Sequence, residues 1–359
     1  MTIEKLREEI NKIDVEMLNL LNSRASCARQ IGELKQKSSL VTYHPAREEE
    51  IYRRLLTNNQ GPLSHDTICA IYTEIISACR GIESPLKVAY LGPEATFTHM
   101  AARRKFGSSV EFVPVASIAD VFTEVEKKRA DYGVVPIENS TEGVITHTLD
   151  MFIESTLKIC AETLLEISQC LLSNSSLEEI KRVYSHPHAF AQVRGWLRSN
   201  LCQRGSLSAA ECIEVSSTAE ASRRAAIEPN SAAVGSELAA QVYHLNVLAK
   251  GIEDRVDNYT RFLIVGHSLV GQSENDKTSI MFSVKDRVGA LYSMLLPFNK
   301  HNVNLTKIES RPSQNTIWEY IFFIDMNGHI ENDNVRKAID ELRENCLYLK
   351  VLGSYPVAG

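Results

Sequence analysis

Apolar residues fall three and four apart from the start of the chain: Ile3, Leu6, Ile10, Ile13, Met17 and Leu20, then Cys27, Ile31 and Leu34. This heptad seam constrains the fold more than any other stretch, because it demands a helix of about 35 residues, roughly 50 Å long. One small domain cannot cover that length, so a partner helix is expected, from a second copy of the chain. The seam position between Leu20 and Cys27 is Arg24. A guanidinium facing a partner is costly unless a carboxylate or an anionic ligand answers it. Lys35 lies eleven residues on, which returns to nearly the same face. Two roles stay open for Arg24 and Lys35: fixing a coiled-coil register, or leaning together toward one anion.

Two shorter helices follow. Pro45 opens the first, with Arg47 and the acidic run 48–50 in its first turn, and the polar run ending in Gly61 and Pro62 closes it. The second runs from a Ser64 cap to about Glu83, with Ile68, Ile71, Ile75 and Ile82 inward and Cys79 one turn before Glu83. The segments L-R-E-E-I-x-x-I-D at 6–14, Arg24, I-G-x-x-K at 31–35, P-A-R-E at 45–48 and E-I-I-S-A-C at 74–79 make residues 1–84 resemble the all-helical chorismate mutase family. That resemblance implies an interlocked homodimer. In it Arg7 of the partner subunit, Arg24 and Lys35 would hold the carboxylates of chorismate. Lys35 would also lie near the ether oxygen, and Arg47 and Glu48 would complete the site. His44, Cys79 and Glu83 stand where the family often has Asp, Ser and Gln. Glu83 can donate to the ether oxygen only when protonated, so mutase activity is expected to fall as pH rises. These departures leave an alternative, a catalytically weak helical dimerisation domain on a chain whose chemistry lies further on.

After Ser84 and Pro85 the period changes. Short apolar strands at 88–91, 112–114 and 132–137 alternate with helices, and the pattern repeats at 167–172, 183–185, 215–217 and 232–235. This predicts two α/β lobes with parallel sheets around a cleft, a periplasmic-binding-protein-like arrangement that closes by hinge motion. Gly92 and the hydroxyl residues after it suit an anion cradle at a helix start. His186 and His188 flank Pro187 without a third ligand at a metal-like spacing, which favours a positioning role. The strand Leu263–Ile264–Val265 is entered through Asn258, Tyr259, Thr260 and Arg261; alternation puts Asn258 and Thr260 on one face and Arg261 on the other.

The runs G-P-E-A-T-F-T-H, G-V-V-P-I-E-N-S-T-E-G, Y-S-H-P-H-A-F-A-Q, S-S-T-A-E-A, A-A-V-G-S and N-Y-T-R-F make residues 85–268 resemble the prephenate dehydratase family. The resemblance implies conversion of prephenate to phenylpyruvate with no metal or organic cofactor. Thr260 falls on the family's essential threonine. A threonine hydroxyl is a poor acid, so it would position or relay. Asn139, Ser140 and Thr141 would be co-donors, Ser217 and Thr218 would take the side-chain carboxylate, and Arg261 would complete the substrate contacts.

A linker-like stretch at 271–276 precedes a βαββαβ pattern over 277–359, the α+β ferredoxin-like arrangement. G-A-L-Y at 289–292 and E-S-R-P at 309–312 make this part resemble the ACT regulatory domain. That implies phenylalanine as an effector, bound near Gly289, Ala290, Leu291, Glu309, Ser310, Arg311 and Pro312 between paired domains. The whole chain thus resembles the bifunctional family that joins these activities in phenylalanine synthesis.

The balance of the chain agrees. A net charge of −6 without like-charge blocks predicts neither nucleic acid nor a membrane surface as partner. Eight scattered cysteines, with no C-x-x-C pair, predict mostly core thiols of a cytoplasmic protein.

Overall fold

The computed structural model describes residues 2–38, 43–201, 210–255, 257–284, 287–312 and 320–358. Helix α1 (Ile3–Ser38), α2 (Pro45–Asn58) and α3 (His65–Glu83) form the N-terminal unit. Ser64 caps α3 by accepting the Thr67 backbone N–H at 3.2 Å. The α1 seam is bare in the single chain: Ile10 is 55%, Leu20 70% and Leu34 63% exposed. Only the last part of α1 packs on α3, and Gly32 allows it. A Cβ on Gly32 would stand 2.7 Å from Glu83 Cγ. The inward stripe of α3 differs from expectation. Ile68, Ile76, Cys79 and Arg80 are buried, whereas Ile71 and Ile82 are exposed. The stripe is rotated because α3 is packed by α1, α2 and the first helix of the next unit.

The first lobe contains β1 (Lys87–Leu91), α4 (Phe97–Phe106), β2 (Glu111–Val115), α5 (Ile118–Glu126), β3 (Tyr132–Asn139), β4 (Gly143–Val144), α6 (Thr146–Glu154) and β5 (Lys158–Glu166). The second contains β6 (Cys170–Ser173), β7 (Arg182–Ser185), α7 (Pro187–Gln192), α8 (Arg194–Asn200), β8 (Glu211–Glu214), α9 (Thr218–Ile227), β9 (Ser231–Gly235), α10 (Glu237–Tyr243) and β10 (Asn246–Lys250). Strand β11 (Tyr259–Gly266) then returns to the first sheet, between β3 and β5. The chain therefore crosses between lobes after β5 and after β10. The sheets are mixed, not parallel: β11 runs antiparallel to β3 and β5, and β6 antiparallel to β9 and β10. A returning strand that enters from the far lobe arrives in the opposite direction. The expected strand at 167–172 spans a crossover, with Cys170 opening β6 beyond it. Residues 215–217 are the turn that caps α9.

The C-terminal unit is βαββαβ: β12 (Asp276–Val284), α11 (Ala290–Lys300), β13 (Leu305–Pro312), β14 (Tyr320–Asn327), α12 (Asp333–Asn345) and β15 (Tyr348–Pro356), in sheet order β13-β14-β12-β15. The third strand was expected over residues 317–326, of which 317–319 lie outside the described residues. One sheet face packs α11 and α12. The other does not face water. Met281, Ile321, Phe323, Leu352 and Tyr355 join Phe122, Phe152, Leu263 and Val265 of the first lobe in one buried cluster. Each such large side chain contributes about 1.5–3 kcal/mol, so this unit is docked, not tethered. Cys79, Cys160 and Cys170 are buried, but Cys27 and Cys212 are exposed, fewer core thiols than expected; Cys202 lies outside the described residues. Among the described residues no helix is long and apolar enough to cross a membrane.

Candidate functional site

A cleft of about 420 Å³ opens between the lobes. Its floor comes from the strand that returns across the hinge. Thr260 and Phe262 point into it, as alternation requires, and Asn139 on β3 sits directly opposite Thr260. The orientation of the Asn139 amide follows from its neighbours. Its Oδ1 accepts the backbone N–H of Thr141 at 2.9 Å and of Glu142 at 3.0 Å, and the Thr141 hydroxyl at 2.6 Å. Backbone N–H groups only donate, so the atom facing them must be the carbonyl oxygen. Nδ2 therefore faces the other way, donating to Asn258 Oδ1 at 2.8 Å and to Thr260 Oγ1 at 2.9 Å. Asn139, Asn258 and Thr260 are all buried. Because Oγ1 of Thr260 accepts from Asn139, its hydrogen is left to point at whatever occupies the cleft.

Two helix starts frame the cleft. Thr96 caps α4, accepting His99 N–H at 3.3 Å, and Ser217 caps α9, accepting Glu220 N–H at 3.0 Å. Both termini present free backbone N–H groups and a positive dipole end, the environment an anion needs. His99 beneath α4 accepts Ala95 N–H at 3.1 Å and stacks on Tyr90 at 4.7 Å; burial holds its imidazole below the usual histidine range. The capping pattern at Thr96 was legible in the sequence; its convergence with Ser217 was not.

The sequence-expected residues divide. Asn139, Ser217, Thr218 and Thr260 line the cleft. Ser140 and Thr141 do not. The Ser140 hydroxyl donates to Asp257 O at 3.1 Å and accepts Tyr259 N–H at 2.9 Å, while Thr141 is engaged by Asn139. They hold the floor. Arg261 is a clear departure: it faces away, toward the C-terminal unit. It bonds Glu162 and Asp325 at 2.6 Å each and Tyr355 Oη at 3.0 Å. A strand cannot show neighbouring residues to the same side. Glu142, Gln169, His188 and Gln192 also line the cleft and were not anticipated as ligand contacts; residue type alone gave no signal for Gln169, which lies at the hinge.

On the N-terminal helices Lys35 Nζ and Glu83 Oε1 lie 2.7 Å apart, both largely buried. In the single chain Glu83 accepts from Lys35. Glu48 is buried in an ion pair with Arg80, whose guanidinium sits 5.1 Å from the Tyr43 ring and 5.7 Å from Phe106. A buried carboxylate needs such a partner, and Arg80 was missed because it follows Cys79 on a stripe read as apolar. Arg47 is exposed and pairs with Glu50 at 2.5 Å; with the exposed His44 it borders a cavity of about 230 Å³ that also touches Tyr132 and Cys160. Arg24 is half-buried, Cys79 buried, and Arg7 exposed.

In the C-terminal unit Gly289 precedes α11 with φ +77°, a conformation that favours glycine. Ala290 is buried and Leu291 exposed. Glu309, Ser310, Arg311 and Pro312 lie on the edge strand β13, but alternation splits them. Ser310 pairs opposite Phe322 on the helix-covered face, whereas Glu309 pairs opposite Phe323 on the face toward the first lobe. Arg311 reaches Asp150 of α6, with both carboxylate oxygens at 2.8 Å. The seven expected residues are therefore not one surface of the single chain.

Comparison with known proteins divides the chain in three. Residues 6–84 match chorismate mutase type II, residues 88–269 prephenate dehydratase, and residues 278–344 the ACT domain. The chain is 51% identical to a bifunctional chorismate mutase/prephenate dehydratase of Aquifex aeolicus, over 99% of this chain and 98% of that protein. It is similar to a solved prephenate dehydratase from Arthrobacter aurescens in complex with L-Phe: 34% identity, TM-score 0.69, 76% of this chain and 90% of that one. It is also similar to a solved quorum-quenching acylase, at 27% identity and TM-score 0.69, over 76% of this chain and 98% of that one.

Proposed function

The chain belongs to the bifunctional chorismate mutase/prephenate dehydratase family, and from that premise we propose which residues perform each step. It rearranges chorismate to prephenate, then converts prephenate to phenylpyruvate. In the second step the ring carboxylate leaves as carbon dioxide. Its electron pair enters the ring and expels the hydroxyl at the opposite carbon, which takes up one proton and departs as water. Aromatisation drives the step, and the protein must stabilise the departing oxygen. Thr260 does this: held as an acceptor by Asn139, its hydroxyl aims its hydrogen at that oxygen. The single observation that carries the assignment is the fixed amide of Asn139 between Thr141 and Thr260. The starts of α4 and α9, with Ser217 and Thr218, take the side-chain carboxylate.

Chorismate rearrangement needs a compact pose and charge stabilisation, not covalent catalysis. Arg7 of the partner subunit, Arg24 and Lys35 grip its carboxylates, with Arg47 and Cys79 bordering the site, and Lys35 leaves Glu83 when substrate arrives. The bare seam of α1 supports a homodimer. Phenylalanine binds between paired C-terminal units near the start of α11 and β13 and inhibits the second step, as the L-Phe complex of the relative suggests. The kinship with bifunctional biosynthetic enzymes supports a cytoplasmic setting.

The test uses purified protein with chorismate, following prephenate and phenylpyruvate separately, with and without phenylalanine. Thr260→Val is expected to abolish phenylpyruvate formation while prephenate affinity is largely retained. Turnover surviving in that variant would remove Thr260 from the mechanism.

A further inference from the structure

The cleft must accept a molecule with two carboxylates, yet among the described residues lining it there is no lysine and no arginine. Its ionisable side chains are Glu142, His186 and His188. A carboxylate in such a place repels the substrate unless something cancels it. Glu142 is fixed there, because its backbone N–H binds the same Asn139 oxygen that orients the Thr260 contact. Its side chain spans the lobes. It starts from the turn between β3 and β4 and bonds His188 Nδ1 on α7, while its other oxygen accepts from Gln192 Nε2 at 3.2 Å. Gln192 accepts in turn from Gln169 Nε2 at 3.1 Å, at the hinge.

We propose that Glu142 and His188 form a charge-compensated pair that sets the affinity of the cleft for prephenate. With His188 protonated the pair is neutral, and the helix termini of α4 and α9 dominate the field. With His188 neutral, Glu142 is a bare anion facing a dianion. The groups that bear on His188 are Glu142 from the opposite lobe and His186 beside it, ring centroids 5.0 Å apart; Glu214 at the end of β8 acts on His186. Taking the imidazole away leaves the Glu142 charge uncompensated. Affinity should therefore weaken when His188 is replaced and recover when Glu142 is replaced with it. The inference rests on prephenate occupying this cleft.

The experiment measures KM and kcat for prephenate at a single neutral pH in the full-length enzyme, with thermal unfolding as the check on folding. Four proteins are compared: wild type, His188→Gln, Glu142→Gln and the double variant. His188→Gln should raise KM roughly three- to ten-fold over wild type, with kcat little changed. Glu142→Gln and the double variant should show a KM no higher than that of the wild type. Rescue of His188→Gln by the second substitution is the diagnostic result, because a merely structural contact would be lost further, not restored. A KM in His188→Gln equal to that of the wild type, or a double variant as weak as His188→Gln, overturns the pair. Absence of prephenate turnover in the wild type would instead overturn the assignment of the cleft.

Discussion

Asn139→Asp changes one atom at the centre of the cleft floor and tests the orientation argument directly. The carbonyl side is kept, with its three donors at 2.9, 2.6 and 3.0 Å. The NH₂ side becomes an oxygen, now set against Asn258 Oδ1 and Thr260 Oγ1, which accepted from it at 2.8 and 2.9 Å. Two buried hydrogen bonds are lost, each contributing about 0.5–1.5 kcal/mol. Asn258 Oδ1 is left without this donor and beside a carboxylate, costing a further 1–3 kcal/mol or about that. The loss of stability should be about 2–6 kcal/mol. The kinetic effect has a separate cause. Thr260 loses its donor and can turn its hydrogen into the new carboxylate, away from the departing oxygen. Removing one preorganised donor of this kind costs about 10²- to 10³-fold in kcat. Urea unfolding measures the first loss and steady-state phenylpyruvate formation the second. The variant should be slow even where it is fully folded. Combined with Thr260→Val, the two kinetic losses should not multiply, because both remove the same hydrogen. Turnover within about ten-fold of wild type at neutral pH, set against the loss stated above, would refute the orientation. Multiplying losses in the double variant would show that Asn139 acts independently of Thr260.

Other outcomes follow from single contacts. Glu83→Gln breaks the Lys35 ion pair but supplies an amide donor, so mutase turnover should be retained or rise, whereas Glu83→Ala should lose it; equal turnover in the two variants removes Glu83 from the reaction. Arg261→Met leaves Asp325 and the deeply buried Glu162 short of a cation, and should lower stability by about 3 kcal/mol with prephenate KM nearly unchanged; a large rise in KM at intact stability would return Arg261 to the substrate. Burial pushes the Cys160 thiol up to about 12, so near neutral pH it carries almost no thiolate. Alkylation followed by peptide mapping should label the exposed Cys212 first and Cys160 only on unfolding; early labelling of Cys160 would contradict its burial.

How much of this was readable beforehand depends on the range of the signal. The three N-terminal helices begin and end at the expected punctuation, because caps such as Ser64 and breakers such as Pro62 act within a turn or two. Helix α6 and strands β5 and β10 were not foreseen. Their residues carry weaker local patterns and acquire their state from β11 and β6, to which β5 and β10 pair. The expected sheet direction failed for the same reason: strand polarity follows the path of the chain between lobes, which no window of sequence contains.

Side-chain partners separate the two levels most sharply. The T-R-F stretch by itself determines that Thr260 and Arg261 face opposite ways, since period two is a property of any extended chain. Only the tertiary structure decides that one side is the cleft and the other the docked C-terminal sheet. It likewise decides that Glu48 meets Arg80, that Lys35 meets Glu83, and that Glu142 meets a histidine 46 residues further on. The sequence fixes which groups are charged and which way each element turns them. The pairing depends on packing between distant segments, because a charge withdrawn from water takes whatever partner the fold brings within reach.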